Sequence, residues 1–222
     1  MRAFFYYLLV FLIGLGAGYL GCRLLFDTLC LKEATPLTTS SLPAKTGEKF
    51  NLSKEVSAYL VWWDQDNGFQ MLKSQSNKIS SLKPFWYEVK NDGSIKKYSG
   101  AENQEIIQFV KSNNIKILPV ISNNHDPLNI EPVLQSFELL EKHLNNIMEL
   151  VGQNGYDGIE IDYESLTGRA IRQPYSDFMN KLAEKLHAQG KLLATAVHAK
   201  TSDEGTWEGP ASQDWPALAA AC

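Results

Sequence analysis

The chain has 222 residues, 44% of them hydrophobic and 21% charged, the composition of an ordinary globular protein. A net charge of −4 with no basic run argues against nucleic acid as a partner. The three cysteines, Cys22, Cys30 and Cys222, lack metal-ligand spacing, so neither a metal centre nor a disulfide scaffold is expected; a Cys22–Cys30 bridge is open but unsupported.

Phe4 to Gly21 is an uncharged apolar stretch of 18 residues between Arg2 and Arg23. It suits a membrane span of about 20 residues, with Tyr6, Tyr7 and Tyr19 near the interfaces. A retained signal anchor over residues 1–26 is preferred, because no small-x-small cleavage site follows. A cleaved signal peptide and a lipoprotein signal ending at Cys22 are the alternatives. The anchor reading ties the protein to the cell membrane through residues 4–22, with its domain outside the cytoplasm. Residues 27–54, rich in Pro, Thr, Ser and Lys, read as a flexible linker.

The folded domain is expected over residues 55–222. Val56–Trp63 has strand character and is followed by an acidic turn at Asp64–Asn67. Helical spacing over Phe69–Ser80 leads to a second strand, Leu82–Val89, and a turn at Asn91-Asp92-Gly93. A short amphipathic helix, Glu102–Ser112, precedes a buried strand at Ile115–Ile121. Pro132–Gln153 reads as one long helix with Leu134, Phe137, Leu140, Leu144, Ile147 and Leu150 facing the core. A fourth strand, Gly155–Glu164, is followed by a helix over Tyr175–Gln189 closed by Gly190, then a fifth strand, Lys191–Val197. The last residues look like another helix. Strands alternating with helices predict parallel strands joined by crossover helices.

The fourth strand carries the functional signal. It sends Ile159, Ile161 and Tyr163 to one face and Glu160, Asp162 and Glu164 to the other, the acids about 6.6 Å apart. Like charges at that spacing repel and are costly to bury. A strand needed only for packing would seldom carry them, so this face is expected to act on a polar substrate.

Asp157-Gly158-Ile159-Glu160-Ile161-Asp162-Tyr163-Glu164 resembles the D-G-x-D-x-D-x-E signature of glycoside hydrolase family 18, the chitinase-like (β/α)8 barrels. The resemblance runs in order and spacing from Val56 to the C-terminus, and is strongest to bacterial spore-cortex and cell-wall glucosaminidases. It implies an α/β fold of TIM-barrel type. That fold takes about 250 residues, so about five βα units, an incomplete barrel, are expected here.

The resemblance also implies a chemistry. Glu164 would be the general acid that protonates the glycosidic oxygen. Asp162 would orient the 2-acetamido group, whose carbonyl oxygen attacks the anomeric carbon to give an oxazolinium, the substrate-assisted retaining route. An ionised Asp162 nearby would help keep Glu164 protonated. Glu160 stands where the family pattern has Asp; there it would share a proton with Asp162, a contact its extra methylene could spoil. Asp157 and Gly158 would be structural. The implied partner is an N-acetylglucosamine-containing glycan, peptidoglycan or chitin; no cofactor is required.

Trp62, Trp63, Trp86 and Tyr87 lie at strand ends, where sugars could stack on them, although such aromatics are also ordinary barrel packing. Trp207 has polar neighbours and no evident core to enter. His198 ends the fifth strand, able to touch substrate or to hold another residue in place. His125 falls in a polar loop, Ser122-Asn-Asn-His-Asp126, of the kind that lines barrel sites, whereas His143 and His187 read as helix-surface residues. Asp64 and Asp66 are explained equally well by a solvated turn. Two other functions compete: a carbohydrate-binding lectin on the same scaffold, disfavoured by the presence of Glu164, and an inactive truncated product. In the family the sixth strand supplies Met-x-Tyr-Asp and the eighth a Trp, neither of which is present. Activity is therefore expected of the intact protein and little or none of these residues alone.

Overall fold

The computed structural model describes residues 55–222. The expected anchor and linker lie outside the described residues, among which no helix is long and apolar enough to cross a membrane.

The strands are β1 (Ser57–Val61), β2 (Ser81–Val89), β3 (Ile95–Lys97), β4 (Lys116–Ile117), β5 (Val120–Ser122), β6 (Gly158–Asp162) and β7 (Leu192–Thr195). The helices are α1 (Gln65–Gln75), α2 (Gln104–Ser112), α3 (Glu131–Gln135), α4 (Phe137–Asn154), α5 (Arg169–His187), α6 (Glu208–Ala211) and α7 (Trp215–Ala221). The main sheet runs β1-β2-β5-β6-β7 with every pairing parallel. This is an α/β fold in which each strand lies beside the next in sequence, the winding that a βα barrel uses. In the described sheet, β1 and β7 are the two ends.

Four departures from the sequence reading have local causes. The predicted strand Ile115–Ile121 is broken into β4 and β5 at Leu118-Pro119, because Pro119 has no N–H for the ladder. Its carbonyl still accepts from Glu160 N at 2.9 Å, so the two pieces act as one strand position. The turn at Asn91–Gly93 folds β3 back antiparallel onto β2, a hairpin the alternation did not reveal. The long helix predicted from Pro132 is interrupted at Ser136, whose extended backbone and side chain cap α4 by accepting from Leu139 N. Phe137 thus becomes the first residue of a new helix and is 75% exposed rather than core-facing, while Leu134, Leu140, Leu144 and Ile147 are buried as expected. Finally, α5 starts at Arg169 and contains Pro174. A helix-interior proline costs about 3 kcal/mol. Burial of Ile171, Tyr175 and Phe178 on one face stabilises by roughly 1.5–3 kcal/mol each and outweighs it.

His143 is not a surface residue. It is fully buried between α4 and α5, stacked 5.8 Å from Phe178 and bonded to Gly93 O and, at 2.6 Å, to the Tyr163 hydroxyl. Burial lowers its imidazole from 6.5 to about 4.

Asp157 and Gly158 set β6 between its neighbours. The Asp157 carboxylate accepts from Ile117 N at 2.8 Å, tying β6 to β4. Gly158 sits opposite Leu192 of β7, and a Cβ there would lie 2.1 Å from Leu192 O. Gly158→Ala must therefore push β7 away, with an expected loss of about 3 kcal/mol. Urea unfolding would show this as a lower midpoint.

Candidate active site

The site begins with the alternation of β6. Ile159, Ile161 and Tyr163 are fully buried on the helix side, which commits Glu160, Asp162 and Glu164 to the inner face. Each of the three acids meets a different environment.

Glu160 is buried. Its Oε1 accepts from the Tyr59 hydroxyl at 2.6 Å, and its Oε2 pairs with the Lys83 ammonium. Tyr59 comes from β1 and Lys83 from β2, where they lie opposite each other in register. Both β2 and β5 stand between β1 and β6. A flat sheet would separate β1 from β6 by about 14 Å, so the Tyr59–Glu160 contact reports a sheet curled inward. Burial and the Glu160 charge push the Tyr59 hydroxyl well above its usual value. The expected sharing of a proton between Glu160 and Asp162 is not what the geometry provides, because both Glu160 oxygens are engaged elsewhere.

Asp162 is the unpaired acid. Its Oδ1 is buried without a hydrogen-bond partner. Burial first, then the charges of Glu164 and Glu160, push its carboxyl from 3.8 up to about 6, against a smaller opposing effect of His125. Buried, unsatisfied carboxylates are rare in packing and recur where a ligand supplies the missing partner.

Glu164 lies just past β6 on a turn held by Asn123. This fully buried amide accepts from Glu164 N at 2.9 Å and donates to Glu164 O at 2.8 Å and Asp126 O at 3.1 Å. The same loop places His125 Nδ1 2.7 Å from Glu164 Oε2. Asn124, His125 and Ser165 all take left-handed backbone, with φ of 56°, 56° and 57°. Such strain costs about 1 kcal/mol or more per residue and persists where surrounding contacts over-determine it. Here Asn123 supplies those contacts.

Beside the acids lies a cleft of about 90 Å³ bounded by Trp62, Trp63, Phe85, Tyr98, His125 and Asp162. Trp63 is 65% exposed, and Trp62 stacks on Tyr98 with centroids 5.1 Å apart. Trp63 thus sits where a sugar could reach it. Trp86 and Tyr87 do not, since both are fully buried. The β2 register shifts between Phe85 and Tyr87, and the two side chains find internal partners: Trp86 donates to Gln65 Oε1, and Tyr87 bonds to Tyr156 and Glu102. Their role is in the core. His198 and Trp207 meet in the segment after β7, rings edge-on at 4.8 Å, with Trp207 52% exposed and His198 Nε2 buried and unpartnered. Asp64 is bonded to Asn67 at 2.6 Å, as a turn residue would be.

Tyr59, Lys83 and Asn123 escaped the sequence reading. Lys83 had a signal: it is the lone cation of a strand that is mostly apolar. Asn123 had only its place in the polar loop.

Comparison with known proteins fits this geometry. The family model for glycosyl hydrolases family 18 matches residues 51–222. The chain belongs to glycoside hydrolase family 18. Within 64 residues it is 42% identical to a Bacillus subtilis protein named as a sporulation-specific glycosylase, YdhD, an overlap of 29% of this chain and 15% of that one. A class V chitinase of Pseudomonas fluorescens superposes with a TM-score of 0.67 at 26% identity, covering 75% of this chain and 51% of the other. The spore cortex-lytic enzyme SleL of Bacillus megaterium gives 0.68 at 22% identity, covering 76% and 40%, and shares the fold. The chain thus spans about half, or less, of the length of these family 18 relatives. Their likeness supports the barrel-type winding of the sheet.

Proposed function

We propose that this protein hydrolyses β-1,4 bonds in an N-acetylglucosamine-containing glycan, peptidoglycan or chitin, by a substrate-assisted retaining mechanism. The observation that carries the reading is the half-buried Asp162 carboxyl near Glu164, whose Oδ1 is buried without a hydrogen-bond partner. Glu164 is the general acid: it donates its proton to the glycosidic oxygen as the bond to the anomeric carbon breaks. The acetamido carbonyl oxygen forms the new bond to that carbon, and the Asp162 carboxylate accepts from the acetamido N–H and balances the oxazolinium charge. Water then opens the oxazolinium with Glu164 as base, returning the proton to it. His125, at 2.7 Å from Glu164, orients that carboxyl, and exposed Trp63 offers a face to a sugar ring. Likeness to a spore cortex-lytic enzyme and a glycosylase favours cell-wall glycan over chitin. We place the domain outside the cytoplasm at the cell membrane, a reading supported by the apolar residues 4–21 and the linker composition after them.

The test compares N-acetylglucosamine oligomers and purified peptidoglycan with their de-N-acetylated forms, using the full-length protein. Without the acetyl group the internal nucleophile is gone, and cleavage is expected to slow on the order of 10²-fold or more. Equal cleavage of both forms would rule out acetamido participation.

A further inference from the structure

We propose that Lys83 is a positioning residue for Asp162: its ammonium holds Glu160 turned toward β1 and β2 and offsets part of that charge, leaving Asp162 as the carboxylate that meets substrate. This rests on the glycosidase reading of Asp162. The geometry is specific. Lys83 is only 16% exposed and Glu160 1%, so their pairing is shielded from salt and water. The Lys83 ammonium also lies 5.6 Å above the ring centre of Tyr59, whose hydroxyl takes the other Glu160 oxygen. Each Glu160 oxygen is therefore fixed by a donor from a different strand, β1 or β2, and neither oxygen is bonded to Asp162.

The departure from the acidic motif gains a physical account from this arrangement. With Glu in place of Asp, the longer side chain carries its carboxylate to Lys83, and the strand keeps two acids for chemistry rather than three. Asp162 is faced by Glu160 and Glu164 from its own strand and turn, His125 from the loop after β5, Tyr59 from β1 and Tyr175 from α5. Lys83 acts on it through Glu160, and Cys222 at the end of α7 lies within range of both Glu160 and Lys83. Among the described residues, Lys83 is the one cationic side chain paired with any of the three acids that does not depend on histidine protonation.

The decisive experiment follows the Asp162 carboxyl carbon by NMR in 13C-aspartate-labelled full-length protein, assigned by its loss in Asp162→Asn. Lys83→Met is expected to raise the Asp162 midpoint by about one pH unit, because Glu160 then repels it uncompensated. Lys83→Arg is expected to restore the wild-type midpoint. The double variant Lys83→Met with Glu160→Gln removes both charges, keeps the buried pair neutral should the single variant fail to fold, and is expected to titrate near wild type. An unchanged midpoint in Lys83→Met, no recovery in Lys83→Arg, or a double variant displaced as far as the single one would overturn the proposal. The readout needs no substrate, so it stands or falls separately from the glycosidase reading. Where hydrolysis is measurable, the acidic limb of its pH profile should move with the NMR midpoint. A moved midpoint with an unmoved limb would uphold the role of Lys83 and refute that of Asp162 in the reaction.

Discussion

Glu164→Gln is expected to lower kcat on N-acetylglucosamine oligomers by about 10²- to 10⁴-fold, the usual worth of a positioned general acid. KM should change little, since the lost interaction is made only as the bond breaks. The fold should survive. The Glu164 backbone is held by Asn123 through both its N–H and its carbonyl, and the side chain is 26% exposed. Gln fits the same space and can still bond His125. Its stability should therefore stay within about 0.5 kcal/mol of wild type, checked by thermal melting beside the rate assay. Wild-type turnover by Glu164→Gln would remove this residue from the mechanism.

Asp162→Asn is expected to make the protein more stable at neutral pH while it loses activity. The Asp162 carboxyl titrates near 6 in the folded protein and near 3.8 when unfolded. A folded value raised in this way means that the stability from the protonated form is fully present below pH 3.8 and is lost as pH rises through 6. At pH 7.5 the ionised group thus destabilises the fold by about 3 kcal/mol, which Asn removes. The gain should shrink to about 0.5 kcal/mol at pH 4. His143 works in the opposite sense. Its folded value of about 4 lies below the unfolded 6.5, so its contribution is present above pH 6.5 and lost as pH falls through 4. The two windows overlap, and in wild type they largely offset. Asp162→Asn should unmask the histidine and show a loss of about 3 kcal/mol between pH 6.5 and 4. Urea melts across that range measure both effects. No gain at pH 7.5 would mean that Asp162 is not held at a cost for function.

Much of the fold was legible because it rests on local pattern. Apolar runs separated by segments of helical spacing marked the main parallel strands, and the acids of β6 stood out because nothing in packing needs them. The polar loop before Asp126 was also visible as a site segment, and it does bring His125 to Glu164. What was hidden depends on partners distant in sequence. Tyr59, Lys83 and Glu160 meet only because the sheet curls, and no pattern within one strand reports curl. Trp86 and Tyr87 take the packing alternative rather than sugar contact, because their partners Gln65, Tyr156 and Glu102 lie outside the strand. His143 looked like a surface residue because its partners, Gly93, Tyr163 and Phe178, lie on other elements. Pro174 inside α5 shows tertiary burial overriding a local helix-breaking rule.

The most direct test of the central claim is the anomeric form of the first product, followed by proton NMR as the full-length protein cleaves an N-acetylglucosamine oligomer. Attack by the acetamido oxygen, held by Asp162 and assisted by Glu164, inverts the carbon once, and water inverts it again. The β-anomer is therefore expected first, with α appearing only as the sugar mutarotates. Initial release of the α-anomer would show direct displacement by water and contradict the acetamido route and the role assigned to Asp162.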